Sequence, residues 1–324
     1  MKPEKYSIIQ DMSSKKIVCL GGGIGTMNLV KGLHHYTSAI TIIVSMADDG
    51  GSAGRLRRLY EVMPPGDVVS SVASSTSNPA FSKLLTYRFP GDRYGKDKDL
   101  GGQKVGNLLM VAAEQVAGSF QGGIDLLRDL FQVKSRIYPA TTEAVTLSAK
   151  LVDGRVIAGE ETIDLGKYPK PWSIDKIFLN PKEPNVSADA LKALDAAEAI
   201  IAGPGDLYTN VLPVLIVPGV ADFLKKTAKK KLFIINIANK PFETKGYVVT
   251  DFIHSVVRHL GVFPFDTVLV NNNMANELPY HYTYVQMDQA ASDTMIISAD
   301  VVDNSYPLYH DAQKVVREIK KYLK

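Results

Sequence analysis

The sequence predicts an α/β fold of the doubly wound kind: a mostly parallel sheet with helices on both faces and a small antiparallel β insertion. Three observations lead there. Short apolar runs end in glycine-rich loops and are followed by apolar residues at helical spacing, the signature of repeated β then α units. One run, Ala39 to Met46, is β-branched and lacks polar alternation, as expected of a parallel strand covered on both faces. The third is Asp153-Gly154, a favoured two-residue hairpin turn, set between two strand-like stretches.

Taken in order, residues 1–15 mix Lys2, Glu4, Lys5 and Asp11 with one apolar pair, Ile8-Ile9, and read as a disordered leader without a secretory core. Lys16 to Leu20 is a strand, Gly21 to Gly25 a loop, and Leu29, Val30 and Leu33 mark the helix that follows. The Ser-rich stretch Ser70 to Asn78 has the composition of a loop. Val105, Leu108, Leu109, Ala112, Ala113 and Val116 form the cleanest amphipathic helix. Thr146 to Val152 and Arg155 to Ile163 are the hairpin strands of an insertion at about 141–180, continuing through Ile174 to Leu179. Alternation then resumes: a helix from Ser187 through Ala197, a strand Ala199 to Ala202, a loop Gly203-Pro204-Gly205, a helix from about Val220 and a strand Leu232 to Ile237. A helix Phe252 to Leu260, a strand Thr267 to Val270 and a helix Gln313 to Leu323 complete the chain. No linker divides residues 16–324, which read as a single domain.

Composition narrows the function. One cysteine, Cys19, excludes an internal disulfide framework and a Cys-based zinc site, and a reducing cytoplasm is the simplest compartment. The apolar runs are strand-sized, far below the roughly 18 residues of a membrane span. A net charge of +3 gives no footprint for nucleic acid. The basic patch Lys225, Lys226, Lys229, Lys230 and Lys231 reads as a solvated turn closing a helix. Neither a Walker A motif nor a Gly-x-Ser-x-Gly nucleophile elbow is present, which removes P-loop ATP hydrolysis and that form of Ser-His-Asp chemistry.

Ligands of such sheets bind beyond the carboxyl ends of the strands, so the loops there carry the chemistry. Gly21, Gly22, Gly23 and Gly25 can bring amides against a phosphate at a helix start, although Thr26 stands where the dinucleotide fingerprint wants Gly or Ala, and a bare tight turn fits as well. The second loop runs Asp48-Asp49-Gly50-Gly51-Ser52-Ala53-Gly54-Arg55. Its paired carboxylates suit Mg²⁺ or a hydroxyl, and its amides and arginines suit phosphate oxygens. Pro64-Pro65-Gly66-Asp67 adds an acid on a rigid turn. The third loop supplies Gly203, Gly205, Asp206, Thr209 and Asn210, and the polar cluster Asn236, Asn239, Glu243 and Thr244 follows the strand expected beside it.

The ordered motifs GGGIG, ADDGGSAGRLR, PPGD, VGNLL, GPGDLYTN and FETKGY resemble the gluconeogenesis-factor (YvcK-like, UPF0052) family, homologous to the CofD-like 2-phospho-L-lactate transferases. The resemblance implies a Rossmann-like fold over approximately Lys16 to Val270. It also implies a small nucleotide ligand, a UDP-sugar or NAD(P), in a cytoplasmic regulator of carbon metabolism and cell shape, with a homo-oligomer allowed. The transferase branch implies instead Mg²⁺-dependent transfer of a phospholactyl group from a guanosine diphosphate conjugate to a deazaflavin hydroxyl. Either reading places Gly21, Gly22, Gly23, Gly25, Gly51, Ser52, Arg55, Asp67, Asn107, Gly203, Gly205, Leu207, Tyr208, Thr209, Glu243 and Thr244 in ligand-binding motifs, and the transferase reading makes Asp48 and Asp49 the catalytic and metal-binding pair. Three positions depart from the family's usual residues: Ile24 for Thr, Val68-Val69-Ser70 for an Arg-Asn pair, and Asp206 for Ser. Asp206 is expected to face outward and cap the next helix.

Overall fold

The computed structural model describes residues 14–96, 98–170, 173–288 and 294–324. Most of the leader expected at residues 1–15 lies outside the described residues.

Seven strands form the central sheet: β1 (Ile17–Leu20), β2 (Ile40–Val44), β3 (Arg136–Pro139), β7 (Ala199–Ala202), β8 (Lys230–Ile234), β10 (Thr267–Asn271) and β12 (Met295–Ala299). Their order is β12-β10-β8-β7-β1-β2-β3, and every neighbouring pair is parallel. The chain leaves β1 for β2 and β3, then returns to the other side of β1 as β7 and continues outward. The direction of winding therefore reverses between β1 and β7. This is the doubly wound parallel architecture that the alternating pattern predicts, and the uninterrupted apolar runs of β1, β7 and β10 are buried along their whole length. Each Ile, Val or Leu so placed contributes about 1.5–3 kcal/mol of burial.

Helices cover both faces. The helix Gly23–Leu33 packs on Gly66–Ser75 and on Ala312–Leu323. Among the described residues no single helix is long and apolar enough to cross a membrane. The insertion is a three-stranded antiparallel sheet ordered β5-β4-β6, from β4 (Thr146–Leu151), β5 (Val156–Ala158) and β6 (Ile174–Asn180). A two-stranded antiparallel ribbon pairs β9 (Ala238–Asn239) with β11 (Thr283–Tyr284).

Three local expectations are corrected. The Ser-rich segment is not a loop: most of it lies in the helix Gly66–Ser75, whose Val68, Val69, Val72 and Ala73 are buried. Its serine hydroxyls bond back to the preceding turn, Ser70 Oγ to Gly66 O at 2.8 Å and Ser71 Oγ to Asp67 O at 2.8 Å, so polar side chains are satisfied within the helix. The strand predicted to reach Ile163 stops at Ala158, and Glu160–Asp164 is a short helix whose Glu161 N–H donates to Asp49 Oδ1 at 3.0 Å. The lysine patch is only partly solvated. Lys230 and Lys231 open β8, and buried Lys231 donates to Thr227 O at 2.6 Å.

Candidate functional site

A cavity of about 450 Å³ opens at the carboxyl end of the sheet, at the reversal between β1 and β7. Gly23 and Gly25 from the first loop line it, as do Asp48 and Ser52 from the second and Gly205, Asp206 and Thr209 from the third. Asp67, Asn107, Asn210 and Asn236 complete the predicted residues on its wall. The loops interlock through short contacts. Thr26 Oγ1 donates to Pro204 O at 2.9 Å, and a Cβ on Gly25 would lie 2.7 Å from that carbonyl. Gly205 N–H donates to Asn236 Oδ1 at 3.0 Å. Gly21, Gly22 and Gly203 shape the loops from behind and do not line the cavity.

The start of the first helix is already occupied. Gly23 N–H donates to Asp67 Oδ1 at 3.1 Å, and Asp67 lies so close that a Cβ on Gly22 would be 2.0 Å from Oδ2. A carboxylate thus takes the place at which the sequence pattern led us to expect a phosphate.

The second loop divides its residues between two cavities. Asp48 faces the large one, its Oδ1 accepting from Gly50 N at 2.9 Å, whereas Asp49 lines a neighbouring cavity of about 260 Å³. Adjacent carboxylates that turn into different spaces do not converge on one ion, so the pair fits a shared Mg²⁺ poorly. Gly51 and Arg55 also border the smaller cavity. The Arg55 side chain, 1% exposed, donates to the carbonyls of Gly101 at 2.8 Å, Asp92 at 3.4 Å and Asp99. Arg55 therefore frames a hairpin between the helices Pro79–Thr86 and Val105–Ala117.

That hairpin is the part of the site that sequence reasoning missed. Arg88 and Lys104 pair across its base, and Arg88, Arg93, Tyr94 and Lys104 all line the large cavity. The available signal was the run Arg88-Phe89-Pro90-Gly91-Asp92-Arg93, cations interleaved with turn formers. Burial and, next, Asp67 push the Asp48 carboxyl up to about 7, against the Gly50 amide and Arg93. Burial also raises Asp67, opposed by the Gly23 amide and Lys104, and burial followed by Arg88 lowers Lys104. Glu160, another cavity residue missed earlier, is raised well above the carboxylate range by burial and then by Asp48.

The opposite end joins the GPGDLYTN and FETKGY motifs. Glu243 accepts from Tyr208 N at 2.9 Å and Thr209 Oγ1 at 2.9 Å. Lys240 Nζ contacts Asp164, Asp206 Oδ2 at 2.7 Å and Glu243 Oε1 at 3.2 Å, while Thr244 Oγ1 accepts from Lys240 N at 2.9 Å. Oxygens of Asp164, Asp206 and Glu243 lie within 4.8 Å of one another, a set able to hold a metal ion, with the Lys240 ammonium already among them. Burial lifts the Glu243 carboxyl to about 7 against the pull of Lys240. Burial disfavours the Lys240 charge, yet Glu243, Asp206 and Asp164 outweigh it and hold the ammonium above its ordinary value. The outward cap expected of Asp206 is corrected here: its side chain makes no capping bond to the wide turn Leu207–Val211 because Lys240 recruits it. Leu207 and Tyr208 are core residues, and the Tyr208 hydroxyl pairs with Tyr247 Oη at 2.9 Å.

The model of 2-phospho-L-lactate transferase CofD matches residues 17–313. The gluconeogenesis factor of Bacillus subtilis is 33% identical over 320 residues, covering 95% of this chain and 98% of that protein. The chain belongs to the CofD-like gluconeogenesis-factor family. A crystal structure of a UPF0052 family member from Bacillus halodurans superposes with a TM-score of 0.85 at 32% identity, covering 95% of this chain and 99% of that one. A Deinococcus radiodurans relative is 36% identical over 258 residues, which span 80% of this chain but only 54% of that protein. This family member thus matches some relatives almost end to end and about half the length of others.

Proposed function

We propose that the chain binds a diphosphate-bearing nucleotide, a UDP-sugar or NAD(P), and acts as a cytoplasmic regulator of the gluconeogenesis-factor type, influencing carbon metabolism and cell shape. The observation that carries this reading is the place of the cavity, at the reversal of the sheet with three loops converging on it. Its volume of about 450 Å³ suits a small-molecule ligand. The wall offers cations for phosphates and Asn236, Thr209 and Asp206 for hydroxyls and a base. A ligand at 100 times its Kd stabilises the native state by about 2.7 kcal/mol. Thermal shifts should therefore appear with UDP-sugars or NAD(P) at millimolar concentration, and a flat response to all of them would overturn the reading.

A second reading, phosphotransfer with Mg²⁺, a guanosine diphosphate donor and a deazaflavin acceptor, is favoured by Asp48. A cavity carboxyl held near 7 is matched to removing a proton from an acceptor hydroxyl. Asp48 and the Asp164, Asp206 and Glu243 set are among the carboxylates present that suit Mg²⁺ in chemistry. Turnover that survives Asp48→Asn would remove that role.

A further inference from the structure

We propose that the N-terminal turn of the helix Gly51–Tyr60, together with Ser52, Arg88, Arg93, Lys104 and Asn107, is the phosphoryl-binding subsite of the cavity. This inference rests on reading the cavity as a nucleotide site and names where the phosphates sit.

The helix is 10 residues long, and its N-cap, Gly50, supplies no side-chain cap. Glu161 Oε2 accepts from Gly51 N at 2.7 Å, while the next amides, of Ser52 and Ala53, have no carbonyl within the helix to bond. Three cations gather around this turn. The Arg93 side chain crosses it so closely that a Cβ on Gly51 would lie 2.4 Å from Nε. Arg88 Nη1 donates to Ser52 Oγ at 3.2 Å and to Gly102 O at 2.6 Å. Among the described residues Lys104 Nζ has one long bond, to Ser70 Oγ at 3.4 Å.

Among the described residues none of these cations forms an ion pair within 4 Å, although Arg88 and Lys104 bond neutral oxygens. Among the described residues the Arg93 guanidinium makes no hydrogen bond or ion pair; it lies against Gly51 and 5.5 Å from the centre of the Tyr94 ring. The nearby acids Asp48 and Asp67 accept from the backbone amides of Gly50 and Gly23, and they attract Arg93 and Lys104 through space without a hydrogen bond to either.

A second, independent observation comes from Asn107. It is 1% exposed, lines the cavity, donates from Nδ2 to Ser52 Oγ at 3.0 Å and leaves Oδ1 buried without a partner. A half-turn of the amide lets Ser52 donate to Oδ1 and leaves Nδ2 as the unpaired donor. In either orientation one polar atom of this buried cavity-wall side chain is left unpaired among the described residues, an acceptor or a donor that a small shift of the side chain would turn to a ligand. Backbone amides at a helix start, two guanidinium groups and an ammonium make a phosphoryl site by ordinary anion chemistry.

The test uses the whole chain with sodium pyrophosphate, UDP and uridine as probes, read by calorimetry and thermal shift on wild type, Arg93→Met and Lys104→Met. Pyrophosphate and UDP should bind wild type and weaken tenfold or more in both variants, with uridine binding unchanged. Arg93 is exposed, so Arg93→Met should keep the wild-type melting temperature and serves as the decisive variant if Lys104→Met does not fold. UDP bound equally well by wild type and Arg93→Met would overturn the subsite and leave the nucleotide reading standing. Pyrophosphate bound through Arg93 with no response to nucleotides would uphold the subsite and overturn the nucleotide reading. Failure of wild type to bind either phosphate would overturn the subsite.

Discussion

The two ends of the cavity each hold cations, and they differ in what those cations face. Lys240 contacts three carboxylates, from the insertion, the third loop and its own turn. Arg93 stands at the other end over a helix start where Glu161 takes only the Gly51 amide, and it makes no hydrogen bond among the described residues. A cation whose anions come from distant parts of the chain holds those parts together. One that bonds no acid of its own chain is placed for something that arrives later. The first belongs to the fold's stability and the second to its ligand, although both lie on one wall-to-wall space.

Substitutions can break this contrast, beginning with the largest effect. Lys240→Met would leave three carboxylates facing one another with Glu243 fully buried. A loss of about 3–5 kcal/mol is expected from removing one partner of a buried ion pair, read by denaturant unfolding. A wild-type midpoint would refute the structural role. Arg55→Met removes the hydrogen bonds that a buried guanidinium makes to three hairpin carbonyls. It should cost about 1.5–3 kcal/mol and expose the hairpin around Arg93 to protease. Unchanged digestion there would show that the hairpin stands without Arg55.

The acids of the basic end sharpen the comparison through pH. The folded Asp48 carboxyl stands near 7 because of burial and then Asp67, against about 3.9 in an unfolded chain. The folded state binds the proton more tightly, so this group's contribution is complete below about pH 4 and is lost as pH rises towards about 7. Asp48→Asn should thus be more stable than wild type at about pH 8, with the gain gone by about pH 4. A gain that grows in acid would reverse the assigned sign. The smallest effect is expected from Asp206→Ser, which removes one of three partners of Lys240. About 1 kcal/mol of stability should be lost, with the affinity for pyrophosphate unaltered, since that probe is assigned to the far wall. A tenfold change in pyrophosphate affinity would join the two ends and dissolve the contrast.

What the sequence disclosed follows the range of the interactions involved. The strands β1 and β7, the loop Gly203-Pro204-Gly205 and the Asp153-Gly154 turn are set by neighbours along the chain and stand where the pattern put them. The first glycine loop, in contrast, is shorter than expected because its helix already starts at Gly23, and β8 begins two residues early at Lys230. Residues 70–75 misled because serine composition favours loops, while the buried valines of the same segment and hydroxyl bonds to the preceding turn favour helix. Asp206 could not be read correctly because its partner, Lys240, lies 34 residues further on. Arg55 looked like a phosphate ligand from its glycine-rich surroundings, yet its acceptors lie 37 to 46 residues away. Arg88, Arg93 and Lys104 gain meaning only when a hairpin folds them back over Ser52, an encounter that no local spacing announces.

A crystal structure with a bound UDP-sugar or NAD(P) tests the division of labour most directly. The diphosphate should lie within hydrogen-bonding distance of Arg93 and Lys104, with Lys240 still held by Asp164, Asp206 and Glu243. A diphosphate resting on a Lys240 released from those carboxylates, with Arg93 left untouched, would contradict it.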